Sequence, residues 1–241
     1  MKRSSKIFMA VMVIGISISC ASCVMCFNQM MGCGDLVTLE KNVSKFEKIN
    51  SVSCAEIRFH ASDEYRAVVT IDANIYGYVE VFTKNNVLTI RTERGQNISP
   101  TKLLVDVYCP FLSCVTMTGA GRFIAMDDII APSFDVIISG SGKVEGAVDC
   151  NRFSAKISGS GKVAMDGSAK DANIIISGSG NFNGSDLCIK NAAVNISGSG
   201  NANVFVTDHL KAIISGSGRI NYRGEPKVTS TVSGSGRIRK M

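Results

Sequence analysis

The sequence Ser-Gly-Ser-Gly begins at Ser139, Ser158, Ser177, Ser197, Ser215 and Ser233, with spacings of 19, 19, 20, 18 and 18 residues. A degenerate copy, Thr118-Gly119-Ala120-Gly121, lies 21 residues before the first of these. Self-similarity at this period is the mark of a solenoid, in which each unit is one supersecondary coil stacked on the next. A flexible Ser/Gly linker has no such period.

The flanks repeat with the motif. The residue before each copy is Ile138, Ile157, Ile176, Ile196, Ile214 and Val232. The second residue after it is Val144, Val163, Phe182, Ala202, Ile220 and Ile238, with Phe123 in the early copy. The residue between is mostly Lys, Arg or Asn. Apolar and polar positions alternate with a period of two, which predicts strands buried on one face. A coil of about 19 residues at about 3.3 Å each closes into a rung of about three short strands, and rungs pair in parallel about 4.8 Å apart. The isoleucines then form an interior ladder.

The candidate turn residues are Gly140, Gly142, Gly159, Gly161, Gly178, Gly180, Gly198, Gly200, Gly216, Gly218, Gly234 and Gly236. Glycine admits positive φ and lets the chain turn a corner without a Cβ clash. The serine hydroxyls are free to bond along the stack or to turn backbone. The fold class expected is all-β: a parallel β-helix-like solenoid of about 18–21-residue coils. Composition agrees with it. The 241 residues hold 23 glycines, 4 prolines and no tryptophan, so small and β-branched side chains must fill the core.

Cys150 and Cys188 each occupy the twelfth position from their motif's first serine, with Ala169 in the rung between. Two rungs separate the cysteines by about 9.6 Å, beyond the roughly 7 Å limit for a disulfide. A buried small-residue stack with both thiols free is therefore expected. The other cysteines are Cys20, Cys23, Cys26, Cys33, Cys54, Cys109 and Cys114.

Before the repeats, alternating segments occur at Glu56 to Phe59, Ala67 to Ile71, Tyr78 to Thr83, Val87 to Arg91 and Leu103 to Tyr108. Asn85-Asn86 marks a hairpin, since Asn tolerates left-handed backbone. This predicts a β-rich module over 41–110 that covers the first rung of a solenoid spanning 111–241. Arg237, Arg239 and Lys240 then make a solvated basic end that blunts the last coil.

Lys2, Arg3 and Lys6 precede an apolar run from Ile7 to Ile18. The run is too short for a membrane span, which needs about 20 apolar residues, and reads as a signal peptide over 1–22, with a tether over 23–40. Cys20 follows Ser17-Ile18-Ser19, and Cys23 follows Cys20-Ala21-Ser22. Both are lipidation candidates of a bacterial lipoprotein leader, although neither has a leucine three residues upstream. Cleavage near Ala21 to Ser22 without acylation is the alternative. Cys20-x-x-Cys23-x-x-Cys26 has the look of a metal run but straddles the cleavage point.

Little catalytic chemistry is legible. Gly140-Ser141-Gly142-Lys143 and Gly159-Ser160-Gly161-Lys162 lack the upstream glycine and the following Ser or Thr of a phosphate loop. Calcium β-rolls carry Asp in their turns, where this chain carries Ser. His60 and His209 are the only histidines and lie in different halves. Asp127-Asp128 and Asp63-Glu64 are the best acidic pairs, but adjacent strand residues face opposite ways. The formal charge is +6, of which Lys2, Arg3 and Lys6 lie in the leader, so the body lacks a nucleic-acid footprint. No catalytic residue, metal or cofactor is assigned.

Phe46-Glu47-Lys48-Ile49, Asn85-Asn86-Val87-Leu88-Thr89-Ile90 and the serial Ser-Gly-Ser-Gly motifs resemble the auto-transporter adhesin head GIN domain family of bacterial envelope proteins, common in Bacteroidetes. The resemblance covers roughly Phe46 to Arg239. It implies two β-rich regions of β-helix character in an exported protein and brings no catalytic residues. The function expected is a non-enzymatic cell-envelope protein, adhesin-like or scaffolding, with an unidentified glycan or protein as surface ligand. It is placed in the outer membrane, at the cell surface or in the periplasm, with a lipid anchor as the membrane link. The alternative is a carbohydrate-active lyase or hydrolase on a β-helix, distinguished by acidic side chains converging from three consecutive rungs. An accessory role in envelope stress or regulation is a third reading.

Overall fold

The computed structural model describes residues 29–241. The leader, Cys20, Cys23 and Cys26 lie outside the described residues. The strands, in chain order, are β1 (Gln29–Met31), β2 (Leu36–Lys41), β3 (Lys48–Val52), β4 (Glu56–Ala61), β5 (Arg66–Asp72), β6 (Val79–Lys84), β7 (Val87–Thr92), β8 (Asn97–Ser99), β9 (Leu103–Cys109) and β10 (Cys114–Gly119). They continue as β11 (Arg122–Ala125), β12 (Ile129–Gly140), β13 (Lys143–Gly159), β14 (Lys162–Gly178), β15 (Asn181–Gly198), β16 (Asn201–Gly216), β17 (Arg219–Arg223), β18 (Lys227–Ser233) and β19 (Arg237–Lys240). The longest of these wrap around a solenoid corner.

The repeat winds a parallel β-solenoid, as its period requires. Ile138, Ile157, Ile176, Ile196 and Ile214 pair in register from rung to rung, and all five are buried. Phe123, Val144, Val163, Phe182, Ala202 and Ile220 form the second interior column, also buried. Side-chain size varies down this column, from phenylalanine to alanine. Phe182 sits above Ala202 in register and meets Phe153 across the core at 5.9 Å between ring centroids. The last rung differs: Val232, in register with Ile214, is 43% exposed.

Each corner uses its two glycines for different reasons. Gly140, Gly159, Gly178, Gly198, Gly216 and Gly234 have φ between 109° and 127°, a region open to glycine and strained for other residues. Gly142, Gly161, Gly180, Gly200, Gly218 and Gly236 instead make room for the ladder. A Cβ on Gly161 would stand 2.5 Å from Ile138 Cγ2, and one on Gly180 2.5 Å from Ile157 Cγ2. The corner backbone is paired through the stack: Ser160 N donates to Gly140 O at 3.0 Å, and Lys162 N to Gly142 O at 2.9 Å.

The N-terminal part continues the stack instead of forming a separate layer. β3 pairs in parallel with β10 on one side and β7 on the other. β4 lies likewise between β11 and β9. The chain thus sets β3 and β4 directly against β10 and β11, lays β5, β6, β7 and β9 on their far side, and returns at β10. Antiparallel β6 and β2 finish the two faces, β6 on β7 and β2 on β5. Asn85 and Asn86, both at positive φ, make the β6–β7 hairpin. The segment read as a tether holds β1 and β2. It is fixed there by Asp72, whose buried carboxylate accepts Gly34 N at 2.7 Å, Thr101 N at 2.8 Å and Thr101 Oγ1 at 2.6 Å.

The expected Cys150–Ala169–Cys188 stack is corrected. Cys150 pairs with Ala169, but Ala169 pairs with Ile189, and Cys188 pairs with Ser168. The step from Ala164 to Gly167 on β14 is matched on β15 by the step from Asn183 to Leu187, one residue longer. A one-residue slip exchanges the faces of a strand. Cys188 is therefore exposed and Ile189 takes the core position, while Cys150 is buried.

Candidate binding faces of the solenoid

Three rows of residues face solvent around the repeat. The first is the corner itself. Thr118, Ser139, Ser158, Ser177, Ser197, Ser215 and Ser233 stand in register, all exposed. Together with the first glycine of each copy they form an edge of hydroxyls along the stack. The chain's backbone, not the serine side chains, carries the hydrogen bonds that hold this corner.

The second row is the sheet face after the corner. One column runs Arg122, Lys143, Lys162, Asn181, Asn201, Arg219 and Arg237. Beside it, Asn183, Asn203, Asn221 and Arg239 make a parallel column. Amides stack within both: Asn201 Nδ2 donates to Asn181 Oδ1 at 3.0 Å, and Asn221 Nδ2 to Asn203 Oδ1 at 2.9 Å. Towards the N-terminal end the charges are paired. Glu145 takes both Arg122 and Lys143. Burial pushes the Glu145 carboxyl up, but the hydrogen bonds from Lys143 and Arg122, with their charges, outweigh it and hold the group below its ordinary range.

The third feature is a shallow groove lined by Ser133, Asp135, Arg152, Ser154, Asp171 and Asn173. Its two carboxylates come from rungs two apart, in different columns, because Asp135 aligns with Ser154 and Asn173 while Asp171 aligns with Arg152 and Ser133. The acidic groups of this groove therefore do not converge from three consecutive rungs.

Asp127 and both histidines have local structural partners. Asp127 Oδ2 accepts Ala61 N at 3.0 Å and ties a loop to β4. Asp63 and Glu64 are exposed in the turn before β5. His60 bonds Asp106 at 3.2 Å and stacks on Tyr108, and His209 bonds Asn191 at 3.1 Å. Among the described residues no group of three or more His, Cys, Asp or Glu side chains is placed to hold a metal ion, and no helix is long and apolar enough to cross a membrane. The amide columns were missed in the sequence. The available signal was the polar residue after each motif, which changes from Lys143 and Lys162 to Asn181 and Asn201 and then to Arg219 and Arg237.

Residues 45–226 match the model of the family described as "Putative auto-transporter adhesin, head GIN domain". The chain belongs to this family. The GIN-domain solenoid is shared with solved structures. One, described as a putative adhesin from Bacteroides fragilis, is 21% identical with a TM-score of 0.84, over 88% of this chain and 100% of that one. Another, described as a putative lipid binding protein from Parabacteroides distasonis, is 25% identical with a TM-score of 0.74, over 88% and 99%. A third, described as a putative adhesin from Parabacteroides merdae, is 22% identical with a TM-score of 0.72, over 89% and 99%. No curated protein matches. Membership in the GIN-domain family supports an adhesin-like, non-enzymatic role.

Proposed function

We propose that this protein is exported and presented at the cell surface as a rigid, non-enzymatic binding solenoid. The observation that carries this reading is the outward second face, where half-buried amides and exposed cations align and repeat at the rung spacing. A β-solenoid orders its outward side chains in rows, which suits an extended ligand better than a small substrate. The groove at Asp135 and Asp171 holds its two carboxylates two rungs apart and in different columns.

The leader pattern supports export, with Cys20 or Cys23 as the acylated residue. In this arrangement the lipid anchors the N-terminal end of the chain. Protease shaving of intact cells, combined with mass spectrometry of the mature N-terminus, tests it. Release of solenoid peptides and a diacylated cysteine are expected. A protease-protected, unacylated chain would overturn surface presentation.

A further inference from the structure

The second face changes character along its length. Near the N-terminal end its cations are matched by carboxylates, as in the Arg122–Glu145–Lys143 cluster and the Arg58–Glu56 pair. From Asn181 onward it is different. Asn181, Asn183, Asn201, Asn203 and Asn221 lead into Arg219, Arg223, Arg237 and Arg239, and no Asp or Glu occupies either column. Arg219 and Arg237 are direct register partners, about 4.8 Å apart at the backbone. Like charges placed so destabilise a sheet unless something neutralises them. Among the described residues none of these four arginines takes part in an ion pair, whereas nearby Lys240 is held by Glu225.

Blunting an edge strand explains charge on β19. It does not explain Arg219 and Arg223 one rung inside, nor the amide columns that continue the patch. Guanidinium groups bind carboxylate or sulfate bidentately, and amides offer both donors and acceptors to sugar hydroxyls. The exposed large apolar side chain at this patch is Met241, at its edge, and a single side chain is too little to hold the patch in a bilayer. Its one aromatic, Phe205, is half-buried under Arg223, with the guanidinium 4.2 Å from the ring centre.

We propose that this carboxylate-free half of the second face binds an acidic polysaccharide. The strand carries its anionic groups along the Arg219–Arg237–Arg239 cluster and its hydroxyls along the asparagine columns. The proposal rests on the reading of the protein as a surface binding solenoid and names its ligand class.

The test measures binding of the full chain to polygalacturonate by calorimetry at several salt concentrations, with the fully methyl-esterified polymer as the uncharged control. The triple variant R219Q/R237Q/R239Q is compared with K156Q/K170Q/K211Q, which removes equal charge from other faces. We expect the wild type to bind polygalacturonate, the arginine variant to lose at least 10-fold in affinity, the lysine variant to change less than 3-fold, and the esterified polymer not to compete. Unfolding midpoints of both variants exclude misfolding as the cause. Equal losses in the two variants, equal competition by the esterified polymer, equally tight binding of single-stranded DNA, or no binding would each overturn it. Shaving reads surface exposure independently: a surface-exposed chain that fails to bind refutes the ligand class alone, and a chain that binds but is protected from protease refutes surface presentation alone.

Discussion

Ile138 Cγ2 lies 2.5 Å from the point where a Cβ on Gly161 would stand. That branch is fixed to Cβ and cannot swing away as a long side chain would. The equivalent point at Gly142 faces Met117 Cβ and Gly121 O, both at 3.3 Å. Gly161→Ala is therefore expected to destabilise the fold by about 2–3 kcal/mol, and Gly142→Ala by about 1 kcal/mol or less. Urea unfolding of the two variants decides this. In the double variant G161A/I138A the clash disappears, so the combined loss should fall short of the sum of the single losses by at least about 1 kcal/mol.

The cysteines test the register slip on β15. Cys33, Cys54 and Cys188 are exposed, and Cys109 and Cys150 are buried. Burial also pushes the thiol of Cys109 up to about 12 and that of Cys150 up to about 11, which leaves little thiolate to react. A short pulse of maleimide on the folded protein, read by mass spectrometry, should label Cys188 and leave Cys150 unlabelled until denaturant is added. Equal protection of both would restore the stacked-cysteine register.

These two cases also show which parts of the fold were legible in the sequence. The isoleucine ladder and the corner glycines repeat in register, so local period alone located them. Cys188 failed because counting from Ser177 ignores where within the rung an extra residue sits. The interval of 20 residues from Ser177 to Ser197 was the signal, and the bulge before Leu187 is where the extra residue went. The insertion of β3 and β4 between β7 or β9 and the repeats was not legible, because such long-range pairing leaves no local pattern. β1 and β2 leave no local pattern for a similar reason: their partners, β8 and β5, are distant in sequence. The arginines were visible one at a time, but only the register placed Arg219 against Arg237.

Asp72 makes stability at the N-terminal end depend on acid. The Thr101 hydroxyl bond lowers its pKa most. Burial opposes this, and backbone bonds from Gly34, Thr101 and Lys102 add to the lowering, so the folded value lies below the ordinary 3.8. A depressed carboxyl contributes stability that is fully present above its unfolded pKa and is lost as pH falls through the folded one. Unfolding midpoints measured between pH 6 and about 2 should therefore decline below about pH 4 in the wild type. Asp72→Asn should start lower and show a flatter decline. Parallel curves would remove Asp72 from the account.

The Ser-Gly-Ser-Gly copies form one corner of a stacked solenoid, and the distance from Ser139 to Ser233 tests this directly. Five rung steps put these residues about 24 Å apart. A flexible Ser/Gly-rich chain of the same length would average about 50 Å with a broad spread. Genetically encoded spin labels at the two positions, read by pulsed dipolar spectroscopy, should give a single narrow distribution near the shorter distance, allowing for the label arms. A broad distribution centred on the longer distance would contradict the stacked corner.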